Sequence, residues 1–454
     1  MEEPRELTVA AALSLLRRGE LKAEDLVKSC LERIHRRQGL IHAWVEIYEE
    51  VALEEARRCD NESHAGHWRG RLHGVPIGVK DIIDVQGMWT RGGSSIYPAR
   101  VAETDAPAVQ RLRAEGAIIL GKTETTPFAN LDPTITRNPW NPEHTPGGSS
   151  SGSGAAVADR MCLAALGTQT GGSVLRPAAF NGIVGFKPTY GSISLDGVIP
   201  VSWSLDHLGA LTRSVEDARI LCQIMRNHQP SPFARMPVSE DNPEEKSPHS
   251  SRSYPRLGHL RGFFEAEASS EIVKHISSIK ERLKEAGAVV VDTELPESYA
   301  QGDSAYRTIH HTELACYHRS LFASHGDQYP PKIRARIKEG MTIPGYQYVE
   351  ALRHRLAFQK EMSERLMPFD AVFMPTAPST APKGLGSTGS PAFCQPWSFC
   401  GFPSISIPSG VDSQGLPFGL QLGSLPMREE KLIEVASWCE QVLGFHLSPA
   451  APKD

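Results

Sequence analysis

Residues 147–158 read Gly-Gly-Ser-Ser-Ser-Gly-Ser-Gly-Ala-Ala-Val-Ala, and a second glycine cluster, Gly171-Gly172-Ser173, follows about two dozen residues on. A glycine/serine run by itself has the composition of a flexible linker. A linker, however, is not followed at once by an apolar stretch such as Cys162–Leu166, nor by a second Gly-Gly-Ser at the end of a strand. Glycines ahead of a serine let several successive backbone N–H groups turn toward one point. The two clusters therefore call for shaped loops inside a large folded body.

The rest of the chain supplies that body. With 454 residues, 40% hydrophobic and 22% charged, it is expected to be globular, not disordered. Residues 8–38 carry two helical patterns, with Leu26, Val27, Cys30, Leu31 and Ile34 on one face. Ala43–Tyr48 reads as a strand, and the apolar run from Gly74 stops abruptly at Lys80-Asp81. Residues 106–115 read as a helix capped by Gly116, and 117–120 as a buried strand. A helix over 213–226 precedes a Pro-, Ser- and charge-rich segment, 227–256, which reads as a flexible surface connection. Helices and strands then alternate again: a strand from Arg256, a helix over 268–287, strands near 288–291, 369–375, 404–408 and 417–422, and a helix over 428–442. Such alternation argues an α/β layered architecture.

Composition excludes several classes of function. A net charge of −5 gives no support for a nucleic-acid partner. No stretch of about 18 apolar residues is present, so no membrane span is expected. The polar start, Met1-Glu-Glu-Pro-Arg-Glu, lacks a signal-peptide pattern, and the eight dispersed cysteines form no Cys-x-x-Cys pair. A cytoplasmic protein with reduced thiols and no cysteine-built zinc site is the expectation.

Four motif matches fail on context. Gly116-Ala-Ile-Ile-Leu-Gly-Lys-Thr123 fits the phosphate-loop pattern, but its interior wants to be a buried strand. Gly148-Ser-Ser-Ser-Gly152 fits a nucleophile elbow, yet the loop-like 141–146 stands where a strand is needed. Ser277-Ser-Ile-Lys280 sits in an amphipathic helix among ordinary surface residues. His310, His311 and His318 lack the acidic spacing of a zinc protease.

What remains carries chemistry. Lys80 ends a buried run, and desolvation disfavours its ammonium form, making a neutral amine available as a base. Ser149, Ser150 and Ser151 lie among glycines, and Ser173 follows Thr168-Gln-Thr-Gly-Gly172. The segments 147–158 and 165–178 closely resemble the signature of the amidase signature family. The flanks agree: Gly74-Val-Pro-Ile-Gly-Val-Lys-Asp81, Asn138-Pro-Trp-Asn141, Gly182-Ile-Val-Gly-Phe-Lys-Pro-Thr-Tyr-Gly191 and Gly415-Leu-Pro-Phe-Gly-Leu-Gln-Leu422. The resemblance is strong over 8–226 and collinear but weaker over 256–445.

That resemblance implies a single large α/β/α domain over 1–454 with a mixed central sheet, whose part 256–424 builds much of the substrate pocket. It implies a triad in which Ser173 is the nucleophile, Ser149 the bridging serine on a cis peptide bond, and Lys80 the base. Thr170, Gly171 and Gly172 match the oxyanion hole with Ser173, and Ser150 and Thr168 stand as partners of the serines. Three positions depart from the commonest pattern. Gln169 stands where many members have an acid, Ser151 where glycine is frequent, and Arg176 comes three residues after the nucleophile instead of two. Arg176 either supports the loop or binds a substrate carboxylate, and support is favoured. Trp397, Phe399, Phe402 and Pro403 are candidates for the pocket and equally for plain core packing.

The activity implied is that of a free-standing amidase acting on a non-peptide C–N bond, with carbamates or esters also within reach of the chemistry. It would need no cofactor and work as a monomer or homodimer on a small molecule. One alternative is the glutaminase subunit of a tRNA-dependent amidotransferase, although Gly121-Lys-Thr-Glu-Thr-Thr-Pro-Phe128 does not look like the corresponding stretch there. Another is a catalytically silent binding relative.

Overall fold

The computed structural model describes residues 3–226 and 254–449. Of the segment 227–256, residues 227–253 lie outside the described residues, and 254–256 lead directly into a strand. The strands in chain order are β1 (Trp44–Ile47), β2 (Pro76–Lys80), β3 (Trp89–Thr90), β4 (Arg100–Val101), β5 (Ile118–Thr123), β6 (Ala164–Gln169), β7 (Val184–Lys187), β8 (His207–Thr212), β9 (Arg256–Leu260), β10 (Val289–Thr293), β11 (Ala371–Pro375), β12 (Ser404–Val411) and β13 (Pro417–Gly423). Eleven of them form one mixed sheet in the order β1-β5-β2-β6-β8-β7-β12-β13-β11-β9-β10, and β3 and β4 pair separately.

Parallel pairs sit toward both edges of the sheet. β2 lies parallel between β5 and β6, and β9 lies parallel between β10 and β11. Antiparallel strands fill the centre, where β7 joins β12 through the pairs Lys187↔Ser404, Phe186↔Ile405 and Gly185↔Ser406. β2, β5, β6 and β8 are buried along their whole length, as strands covered on both faces must be. Helix Ser151–Ala158 packs on β2, β5, β6 and β8; helix Leu175–Asn181 packs on β7, β12 and β13; helix Glu429–Leu443 packs on β12.

The sequence-expected elements of the first half hold to within a few residues, as helices Val9–Arg17, Ala23–Ile41 and Pro107–Ala114. Thr8 caps the first by accepting the Ala11 N–H. β5 runs past the expected Leu120 through Gly121-Lys122-Thr123, which removes any phosphate loop there. Three long helices, Gly302–His325, Pro331–Gly340 and Gly345–Leu366, lie where the sequence shows no clear period. Trp397, Phe399 and Phe402 are 0–1% exposed within the core they share with Phe358 and Met374, so they take the packing role.

The helix that begins at Ser151 is fastened at its far end. Asp159, fully buried, binds Arg33 Nη2 at 2.8 Å and Arg37 Nε at 3.1 Å, both from helix Ala23–Ile41. Removing the carboxylate strands two largely buried guanidinium groups. Asp159→Ala is therefore expected to cost about 3–5 kcal/mol of stability, read as a lower urea midpoint at pH 7. An unchanged midpoint would show that the contact contributes nothing.

Candidate active site

Parallel β2 and β6 are neighbours in the sheet, so their C-terminal ends leave it on the same side, where open α/β sheets place their ligands. β2 ends at Lys80. β6 ends at Gln169, and the loop 170–173 follows. The serine run enters helix Ser151–Ala158 against both strands. The glycines make this approach feasible: a Cβ on Gly152 would collide with the Ala43 carbonyl and the Glu124 backbone.

Lys80 is fully buried. Its Nζ lies 2.8 Å from Ser149 Oγ and 2.8 Å from Thr168 Oγ1. Burial holds its pKa well below the ordinary lysine value, with the Asp206 carboxylate opposing that shift. A neutral Nζ can donate to Thr168 and accept the Ser149 hydroxyl proton, which is the direction a base requires. The Gly148–Ser149 peptide is cis, and the Ser149 carbonyl accepts the Thr126 N–H at 3.2 Å. Arg176 donates from Nη2 to the Gly148 carbonyl at 2.5 Å and to Thr388 Oγ1 at 3.2 Å. Nη2 thus holds the serine loop, while Nε and Nη1 are buried without a partner among the described residues, and burial lowers the Arg176 pKa to about 10. Ser150 Oγ donates to the Thr168 carbonyl and accepts the Thr168 N–H, both at 3.3 Å. Thr168 therefore holds Ser150 through its backbone and Lys80 through its hydroxyl.

Ser173 is partly exposed, and its carbonyl accepts the Ser150 N–H at 3.4 Å, which brings the two serine loops together. Ser173 Oγ makes no hydrogen bond among the described residues, so Lys80–Ser149 is hydrogen-bonded and Ser149–Ser173 is not. The N–H groups of Thr170, Gly171, Gly172 and Ser173 likewise have no acceptor among the described residues. Four buried or half-buried donors in succession are what a developing oxyanion needs. Thr170 Oγ1 donates to Asp206 Oδ1 at 2.5 Å, and Asp206 Oδ2 accepts the Val201 and Ser202 N–H groups. Burial raises the Asp206 pKa to about 6. Sequence reasoning missed Asp206; a single acid ahead of a strand is a weak signal.

A cavity of about 940 Å³ includes Phe263, Tyr299, Tyr306, Arg336, Pro391 and Gln395 in its wall. Two of its wall residues also pack against the loop: a Cβ on Gly171 would lie 2.8 Å from Tyr306 Oη, and one on Gly172 3.2 Å from Pro391 Cβ, although no residue of the loop itself lines the cavity. Trp397, Phe399, Phe402 and Pro403 are not in its wall.

Lys122 is buried, donating to the Trp89 carbonyl and Thr90 Oγ1 and facing Asp81 at 3.3 Å. Ser277 bonds its own helix and Lys280 pairs with Asp292. His318 Nδ1 lies 2.9 Å from Tyr329 Oη, and His311 lies 3.2 Å from Glu339. Cys59, Glu62 and His73 converge closely enough for a metal. Yet His73 is held by Ser63, the Cys59 carbonyl and the Arg69 N–H, and Glu62 is held by Arg69. Those ligand atoms already serve the fold. Among the described residues no helix is long and apolar enough to cross a membrane.

The family model described as Amidase matches residues 25–433. The chain is 32% identical to the A component of the glutamyl-tRNA(Gln) amidotransferase of Nostoc sp. (strain PCC 7120), over 94% of this chain and 96% of that one. Among solved structures, an amidase crystal structure superposes with a TM-score of 0.86 at 32% identity, covering 96% of this chain and 100% of that chain. The peptide amidase of Stenotrophomonas maltophilia superposes with a TM-score of 0.81 at 30% identity, covering 98% of each chain.

Proposed function

The chain belongs to the amidase signature family, an enzyme family that hydrolyses C–N bonds, and from that premise we propose a free-standing amidase with Ser173 as nucleophile. Ser149 relays the proton and Lys80 is the base. The observation that carries this reading is the fully buried Lys80 Nζ at 2.8 Å from Ser149 Oγ, beside four free backbone donors ending at Ser173.

Neutral Lys80 accepts the Ser149 proton while Ser149 Oγ accepts that of Ser173. The freed Ser173 Oγ attacks the substrate carbonyl carbon, and the oxyanion meets the N–H groups of Thr170, Gly171, Gly172 and Ser173. The C–N bond then breaks as the relay returns the proton to the leaving nitrogen. Water adds to the acyl-enzyme, loses a proton to the same relay, and releases the acid. Ser173 Oγ must approach Ser149 Oγ in the substrate complex, as catalytic contacts that are loose without substrate commonly do. The reaction calls on no cofactor. The chain acts as one catalytic unit, and its part 256–424 builds much of the substrate pocket, a reading supported by the cavity wall, which apart from Leu131 comes from that part. A cytoplasmic monomer or homodimer fits this reading, as do amide, carbamate and ester substrates.

The similarity to an amidotransferase component over nearly the whole chain favours a second reading, a glutaminase that works with a partner. The matches to an amidase and a peptide amidase at nearly the same identity support the first. The test offers the purified chain one aryl amine as anilide, carbamate and urea, the matching aryl ester, a primary amide, and glutamine. Release from at least one non-glutamine substrate by the chain alone is expected. Hydrolysis of glutamine only, and only with the other amidotransferase subunits added, would overturn the free-standing reading.

A further inference from the structure

Gln169 and Ser398 join the two halves of the chain at the loop that ends in Ser173. Gln169 ends β6, and Ser398 lies in helix Gln395–Cys400; both are fully buried. Gln169 Oε1 accepts the N–H groups of Val174 at 2.9 Å and Leu175 at 3.0 Å. Two donors on one side require an acceptor there, which turns Nε2 to the other side, where it donates to Ser398 Oγ at 3.1 Å. Ser398 Oγ spends its single proton on the Gly171 carbonyl at 2.8 Å.

We infer that Gln169 and Ser398 act together as positioning residues for the oxyanion hole; the inference rests on the acyl-enzyme reading of Ser173. Within a planar trans peptide the carbonyl and the following N–H point in opposite directions. Holding the Gly171 carbonyl toward Ser398 therefore fixes the Gly172 N–H facing away from that helix, as a free donor. Gln169 consumes the Val174 and Leu175 donors, so the run of free N–H groups ends at Ser173. The departure from an acid at 169 thereby gains a reason. A carboxylate has no hydrogen to give Ser398, and the one Ser398 proton would be contested between that carboxylate and the Gly171 carbonyl. With glutamine the proton order is unique and the loop has one setting.

The test uses the full chain and a fluorophosphonate probe, which phosphonylates an activated serine whatever the natural substrate is. Alongside it, phenylboronic acid serves as a tetrahedral mimic. Ser398→Ala is expected to slow probe labelling of Ser173 about 10- to 100-fold, below the full loss of one oxyanion donor. It should weaken phenylboronate inhibition in parallel and lower kcat with KM changed less than about threefold. Gln169→Glu, which keeps the acceptor and loses the donor, is expected to act in the same direction. It keeps the test standing if Ser398→Ala does not fold. Labelling of folded Ser398→Ala and Gln169→Glu at the wild-type rate overturns the clasp alone. Failure of wild type to label at Ser173 overturns the acyl-enzyme reading beneath it.

Discussion

Ser173→Ala is expected to cut turnover of every accepted substrate by about 10⁴- to 10⁶-fold, the scale on which a nucleophile working as one unit with its base is lost. Ser173 Oγ makes no hydrogen bond among the described residues and is partly exposed, so its removal leaves no buried group unsatisfied. Folding should be unaffected, with a melting temperature within a degree or two of wild type, which separates chemistry from stability. The probe adduct should map to the peptide containing Ser173 in wild type and vanish in the variant. Full activity in folded Ser173→Ala would refute the mechanism.

Lys80→Met is the second large effect. Losing a positioned general base costs about 10²- to 10⁴-fold in kcat. The pH dependence is the sharper signature. Because burial lowers the Lys80 pKa, the neutral, basic form persists well below the ordinary lysine range. Wild-type activity should rise with pH through that lowered value and then level off. In Lys80→Met the limb should disappear with the rate.

Stability gives an independent readout with a definite sign. Between the ordinary lysine pKa of about 10.4 and the lowered folded value, the unfolded chain binds a proton that the folded chain does not. Wild type should therefore lose stability, relative to Lys80→Met, as pH falls through that window. The same slope in both proteins would mean that Lys80 is not desolvated as described. Comparing the two proteins matters because buried Lys187, lowered to about 7 by desolvation, tilts both curves alike.

The first half of the fold was legible because its periods were clean. Val9–Arg17 and Ala23–Ile41 each bury one apolar stripe, and the strand ending at Lys80 announced its burial by the run before it. Helix Gly302–His325 was not legible because its inner face carries buried His310, His311, Glu313 and His318, which hide the apolar spacing. The residues carrying the proposed chemistry could be picked from short patterns. Their holders could not: Asp206, Ser398 and Thr388 are ordinary polar residues in sequence, distinguished only by what they touch after folding. Arg176 shows the limit well. Its position was plain, but its direction, toward the Gly148 carbonyl, needed the fold.

The junction of β7 with β12 sets an order on the protein's own synthesis. Lys80, Ser149 and Ser173 leave the ribosome more than 200 residues before Ser398 and β12. At the usual pace of translation that is a delay of roughly 10–50 seconds. Throughout it, β7 can pair only with β8 and has one open edge, with Phe186 lacking Ile405 beside it and Lys187 lacking the Phe402 carbonyl that holds it at 2.5 Å. On the proposed mechanism, an incomplete chain would hold Lys80, Ser149 and Ser173 without Ser398, and activity would wait on the last hundred residues.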